Sequence, residues 1–218
     1  MAKRIGVVLS GCGVFDGAEI HESVLTLLAI HRAGAQPVCY APNTDQMHVI
    51  NHLTGEEMQE KRNVLVESAR IARGKIGDLA GAKVDDFDAI IFPGGFGAAK
   101  NLCTFAVDGP NAKVHPQVAR IVKQTHAAGK PLGFLCISPA VAALVLGEQH
   151  VELTIGNDAD TAAGLEKLGA KHIDCPVDQI HVDAARKIVT SPAYMLGQNV
   201  ADVATGIERL VQQVVDWA

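Results

Sequence analysis

Two kinds of apolar pattern alternate along the chain. Ile5-Gly6-Val7-Val8-Leu9, residues 36–41, Ala89-Ile90-Ile91-Phe92 and residues 131–135 are short, nearly unbroken apolar runs, as strands covered on both faces are. Between them, apolar residues recur at three- and four-residue steps. Residues 18–32, with Ile20, Val24, Leu27 and Leu28 (and Ala35 beyond), predict a helix with Asp16 available as its cap and Gly34 as its stop. A second helical pattern runs from Val64 to Ala72 and closes at Gly74. A third, residues 115–128, presents Val118, Ile121, Val122 and Thr125 on one face. Residues 140–146, 161–168 and 198–217 follow as helices. Residues 151–155 form a further strand, and Val182 with residues 187–190 a β-hairpin around Ala184-Ala185. The polar residues 44–61 read as an inserted, partly extended segment, and residues 103–113 as irregular. Strands alternating with helices predict a single α/β domain over residues 1–218. Its architecture is a doubly wound, mostly parallel sheet in a flavodoxin-like three-layer sandwich.

In an open α/β sheet, sites form beyond the carboxyl ends of the strands. Three loops should therefore converge: Ser10-Gly11-Cys12-Gly13, the stretch opening with Pro93-Gly94-Gly95-Phe96, and the junction at Cys136. That junction is the most distinctive feature of the chain. Strand-type residues 131–135 meet helix-type residues 140–146 with almost no loop, and Pro139 suits a first helical turn, which needs no backbone donor there. A strand that turns directly into a helix leaves its junction residue strained and projecting, a nucleophile elbow. Helix-terminal N–H groups would favour thiolate and lower the cysteine pKa. A buried structural cysteine ending a core strand is the alternative.

Gly94 and Gly95 would let a backbone N–H reach the same pocket and, with the N–H of Ile137, cradle developing negative oxygen; a turn needed only for chain direction fits the glycines as well. Gly11-x-Gly13 and Gly95-x-Gly97 each lack the third glycine of a dinucleotide fingerprint, and no clear acidic residue ends the second strand. Glu19 and Glu22 lie one turn apart at the start of the first helix. Glu22, at the edge of the apolar stripe, either points inward, where burial would raise its pKa and fit it for proton transfer, or is solvated like most helix glutamates.

With 218 residues, 48% of them hydrophobic, the chain can build one sizeable core. A net charge of −5 with scattered Lys and Arg disfavours nucleic acid. No apolar run has the length of a membrane span, and Met1-Ala2-Lys3-Arg4 leads directly into a strand, from which a cytoplasmic location is expected. Five cysteines, without C-x-x-C or paired His/Cys spacing, predict free thiols, no metal site and no cofactor. Cys12 is either a resolving thiol facing the same crevice or a small residue packed in a glycine turn.

Asp16-Gly17-Ala18-Glu19-Ile20-His21-Glu22, then Phe92-Pro93-Gly94-Gly95 before Asn101-Leu102, then Gly133-Phe134-Leu135-Cys136-Ile137-Ser138-Pro139 together resemble the ThiJ/PfpI superfamily, with its class I glutamine amidotransferase-like fold. Ser10-Gly11-Cys12-Gly13-Val14, Ile50-Asn51-His52-Leu53-Thr54-Gly55, Phe96-Gly97-Ala98-Ala99-Lys100-Asn101-Leu102 and Ser191-Pro192-Ala193-Tyr194-Met195 are similar to its ElbB-like, isoprenoid-biosynthesis-associated branch, described as glyoxalases. The resemblance spans essentially the whole chain. It implies Cys136 as the reactive residue, Glu22 as the carboxyl beside it, Gly95 and Ile137 as oxyanion-type donors, and a homodimer. Many superfamily members carry a histidine about where this chain reads Thr154-Ile155-Gly156-Asn157; Gly156 stands there instead. The incomplete Cys-His-Glu triad disfavours glutamine hydrolysis and proteolysis, and His115, His126, His150, His172 and His181 read as solvated. Two functions are expected from this pattern: a cofactor-independent glyoxalase acting on small dicarbonyls, or a cysteine-based redox or metabolite sensor.

Overall fold

The computed structural model describes residues 2–218. In chain order, β1 (Arg4–Val8) leads to α1 (Ile20–Arg32), β2 (Gln36–Ala41), α2 (Val64–Ile71), β3 (Ile76–Asp78) and β4 (Ala89–Phe92). Two short helices follow, α3 (Phe96–Lys100) and α4 (Phe105–Asp108), then α5 (Pro116–Ala127), β5 (Leu132–Leu135) and α6 (Pro139–Leu146). The chain closes with β6 (Glu152–Leu153), α7 (Ala159–Lys167), β7 (Lys171–His172), β8 (His181–Asp183), β9 (Ile188–Ser191) and α8 (Val200–Trp217). Seven strands form one sheet in the order β3-β2-β1-β4-β5-β9-β8; all pairings are parallel except the β8–β9 hairpin. β6 and β7 pair as a separate parallel ribbon.

The alternation of side chains along each strand sorts the core into two layers. Ile90 and Phe92 of β4, with Leu132 and Phe134 of β5, pack with α5 and α6, and the Phe92 and Phe134 rings stack 4.9 Å apart. Ile5 and Val7 of β1, Ile91 and Val189 pack on the opposite face with α8 and the inner residues of α1. The expected α/β class and mostly parallel sheet are what the chain builds, with helices on both faces.

Helix α1 departs from its expected orientation. Its buried side chains include Glu22, Ser23 and Thr26, whereas Ile20, Val24 and Leu28 face outward, 40–48% exposed. The hydroxyls of Ser23 and Thr26 cap the Glu19 and Glu22 carbonyls of the preceding turn (2.7 Å each), which lets a polar face lie against the sheet without unpaired groups. Asp16 does not cap this helix. Glu19 does, accepting the Glu22 N–H at 2.6 Å, while Asp16 is buried and accepts the N–H of Ile50 from the inserted segment at 2.7 Å. Residues 96–100, read only as part of a glycine-rich loop, form α3 instead.

Candidate active site

Because β1, β4 and β5 are neighbours, their carboxyl ends lie side by side and bring the three loops together. Asn101, at the end of α3, ties two of them: its side-chain amide donates to the carbonyls of Ser10 (2.8 Å) and Asp16 (2.9 Å). The third is built by β5 turning into α6. Cys136 adopts φ 59°, in the left-handed region, at a cost of about 1–2 kcal/mol for a residue with a Cβ. Ser138 holds the turn. Its fully buried hydroxyl donates to the Phe92 carbonyl of β4 (2.7 Å) and accepts the Leu135 N–H (2.9 Å), while the Cys136 N–H donates to the Ser191 carbonyl of β9 (3.0 Å).

Glu22 lies directly behind the cysteine, with no exposed surface. One carboxyl oxygen accepts the Gly94 N–H at 2.8 Å, the other the Tyr194 N–H at 3.1 Å, and the carboxyl lies beside the Cys136 sulfur. The N–H groups of Gly95 and Ile137 lie beside that sulfur and favour its thiolate. The two glycines thus have different places: the Gly94 N–H is taken up by Glu22, and that of Gly95 reaches the cysteine. A Cβ on Gly94 would stand 2.4 Å from the Cys136 Cβ, and one on Gly95, at φ 88°, 2.4 Å from the Glu19 nitrogen, so neither position admits a side chain.

Burial, reinforced by the Glu19 charge, raises the Glu22 pKa from 4.5 to about 7, against the pull of its two N–H donors. Burial and then the Glu22 charge push the Cys136 thiol well above its ordinary range, outweighing the Gly95 and Ile137 donors. The expected lowering by the helix terminus is therefore overturned: α6 starts only at Pro139, and two N–H groups do not offset desolvation beside a carboxylate. Sulfur and carboxyl titrate as a pair, and near neutral pH the pair passes from two protons to one.

A cavity of about 480 Å³ opens in front of Cys136, which is 7% exposed and forms part of its wall. Gly95, Ile137, Glu19 and Tyr194 line it too; Glu22 and Gly94 do not. Tyr194 is held from outside, its hydroxyl 2.8 Å from the His21 Nδ1. No histidine is on the cavity wall among the described residues. Gly156 has φ 99° and faces the Leu196 side chain, which a Cβ would approach to 2.8 Å. The five histidines read as solvated all lie off the cavity wall, but His172 and His181 are not solvated: the His172 side chain is 6% exposed and accepts the Ile155 N–H at 3.3 Å, and that of His181 is 17% exposed and lies 3.1 Å from a Glu152 oxygen. Cys12 also lies off the wall, near Glu67, and burial raises its pKa. Sequence reasoning assigned no role to Ser138 or Tyr194. Ser138 precedes Pro139 at a helix start, a signal that could have marked it; Tyr194 is brought in by the exit of β9, which leaves no local trace.

A human glutamine amidotransferase-like class 1 domain-containing protein 3, mitochondrial, is 49% identical over 225 aligned residues, covering 99% of this chain and 83% of its own. The chain belongs to this amidotransferase-like class 1 family. The zebrafish ES1 protein, mitochondrial, is 35% identical over 209 residues, covering 88% of this chain and 77% of its own. A crystal structure from Ehrlichia chaffeensis, an isoprenoid biosynthesis protein with amidotransferase-like domain, superposes with a TM-score of 0.92 at 37% identity, covering 99% of this chain and all of that one. Drosophila DJ-1beta, at 17% identity and a TM-score of 0.58 over 100% of this chain and 96% of its own, shares the fold. No protein-family model matches the chain. The expected amidotransferase-like kinship therefore stands at the level of family, and the ThiJ/PfpI likeness at the level of fold. The cytoplasmic expectation does not: the human, rat and zebrafish family members are named mitochondrial. Targeting segments are separate from the folded domain, so a strand starting at Arg4 says nothing of location.

Proposed function

We propose that the protein is a cofactor-independent glyoxalase that converts glyoxal to glycolate on Cys136. The observation that carries this reading is the juxtaposition of Cys136 and Glu22, with the sulfur on the cavity wall and the carboxyl behind it. A thiol with a raised pKa needs an adjacent base to become nucleophilic, and a carboxylate with a pKa of about 7 is matched to that task at neutral pH. As sulfur bonds to one aldehyde carbon, Glu22 takes the thiol proton and passes it to the aldehyde oxygen, giving a hemithioacetal and leaving Glu22 a carboxylate again; the Gly95 and Ile137 N–H groups stabilise the developing oxygen charge. The adduct carbon is one bond from the sulfur that Glu22 touches. Glu22 removes its C–H proton and returns a proton to the second carbon through an enediolate, leaving a glycolyl thioester. Water cleaves the C–S bond to release glycolate and restore the thiol. One carbon is oxidised and its neighbour reduced by the same electron pair, so no external oxidant or reductant enters.

Glutamine hydrolysis has less support, because the cavity wall carries no histidine to protonate a leaving ammonia. The sensor reading also draws on less: peroxide attacks thiolate, whereas burial and the Glu22 charge hold Cys136 as thiol. A homodimer, implied by the superfamily resemblance, remains part of the proposal, and light scattering at assay concentration reads it. The deciding assay measures glycolate from glyoxal using purified protein free of metal and glutathione. Turnover lost in Cys136→Ala and Glu22→Gln is expected. No turnover in the parent protein, combined with selective oxidation of Cys136 by mild peroxide, would overturn the glyoxalase in favour of the sensor.

A further inference from the structure

Glyoxal fills little of the cavity in front of Cys136. About 480 Å³ lies within the roughly 300–1,000 Å³ range of sites that enclose drug-sized ligands. Its walls are mostly apolar, supplied by Val14, Phe96, Phe105, Pro110, Ile137 and Met195. Phe105 is seated against Gly164 of α7, where a Cβ would come within 3.0 Å of the ring tip, so the absent side chain is what admits the ring. The charged groups on the wall are both acidic, Glu19 and Asp160, and no Lys or Arg lines it among the described residues. Lys100 places its ammonium over the Phe96 ring but is tied to the Phe15 carbonyl (3.0 Å) and is not part of the wall.

Resting on the glyoxalase reading, we infer that the substrate is an α-oxoaldehyde whose second carbonyl carries an uncharged apolar group of about aryl size, and that dicarbonyls bearing an anion are rejected. The apolar group lies against Phe105 and Met195 while the aldehyde carbon meets the sulfur; ring-on-ring contact adds to the area removed from water. A carboxylate in this cavity would lose its hydration, gain no cation and face two acidic side chains. The chemistry balances as for glyoxal. Sulfur bonds to the aldehyde carbon, which is oxidised to the thioester; the ketone carbon is reduced to the secondary alcohol by the same electron pair; water cleaves the C–S bond. An aryl glyoxal gives the corresponding mandelate.

The test compares kcat/KM for glyoxal, phenylglyoxal and 4-carboxyphenylglyoxal with the purified full chain. Phenylglyoxal is expected to exceed glyoxal by about tenfold or more, and the carboxylate to fall about tenfold or more below phenylglyoxal. Phe105→Ala should narrow the first ratio and Asp160→Lys, on an exposed first turn of α7, the second. Glyoxal equalling phenylglyoxal, or the carboxylate equalling its neutral counterpart, overturns the inference while leaving the glyoxalase reading standing. Turnover of none of the three would overturn the glyoxalase reading instead. The cavity preference is then read by ligand-observed NMR with acetophenone and 4-acetylbenzoate: binding of acetophenone that slows Cys136 alkylation, without binding of the carboxylate, supports it, and equal behaviour of the two refutes it.

Discussion

Replacing Glu22 by glutamine should change how stability depends on pH more than it changes stability itself. In the folded chain the Glu22 pKa rises from 4.5 to about 7 because the carboxyl is fully enclosed and lies near Glu19. A raised carboxyl binds its proton more tightly folded than unfolded. Its contribution is therefore fully present below about 4.5 and is lost as pH rises through about 7, by about 3 kcal/mol in all. Glutamine has no such titration. It carries a different, constant cost: the Gly94 and Tyr194 N–H groups each donate to a separate carboxyl oxygen, and an amide can accept only one of them. The orphaned donor costs about 1–3 kcal/mol at every pH. The difference between the two unfolding free energies, measured by urea titration from pH 4.5 to 8.5, should thus shift by about 3 kcal/mol in favour of the variant, changing steadily between about 4.5 and about 7 and levelling off above. Parallel curves would refute the argument, because they would mean that the carboxyl is solvated or already ionised well below neutrality.

Other substitutions test neighbouring parts of the site. The kcat/KM of the parent for a dicarbonyl should rise with pH through about 7 as Glu22 becomes the base, and the Glu22→Gln variant should lack that limb. Gly94→Ala drives a methyl into the Cys136 Cβ and a Glu22 oxygen; overpacking of about 1–3 kcal/mol and loss of most activity are expected, read by Tm and turnover together. Ser138→Ala removes the link between β4 and the elbow and should cost about 2–3 kcal/mol, or about 5–10 °C in Tm. Cys136→Gly should be more stable than Cys136→Ala by about 1 kcal/mol, because φ 59° strains any residue with a Cβ; equal stability would show that the elbow relaxes.

The parts of the fold most legible in the sequence were those where burial writes an unambiguous pattern. β1, β2, β4 and β5 are covered on both faces and read as continuous apolar runs, and the β8–β9 hairpin appeared where expected. β3 and β7, three and two residues long, are too short to carry a period. α1 was located but turned the wrong way. Apolar periodicity assigns Ile20, Val24 and Leu28 to the core, and nothing local announces that hydroxyls bonded to the preceding turn allow Glu22, Ser23 and Thr26 to be buried instead. The cysteine was legible because its strain arises from local chain chemistry, a strand meeting Pro139 without a loop. Its protonation was not, because the sulfur's surroundings come from α1 and the β4 loop, far away in sequence. Tyr194 escaped for the same reason, reaching Glu22 across 172 positions.

The central claim is that Cys136, with Glu22 as its base, forms a covalent bond to the substrate carbonyl carbon. Rapid acid quench of the protein turning over glyoxal, followed by mass spectrometry of the Cys136 peptide, tests it most directly. A glycolyl thioester on that peptide, formed and consumed at the rate of glycolate release and absent in Cys136→Ser, is the predicted result. Glycolate forming while the Cys136 peptide stays unmodified, or forming undiminished in Cys136→Ser, would contradict it.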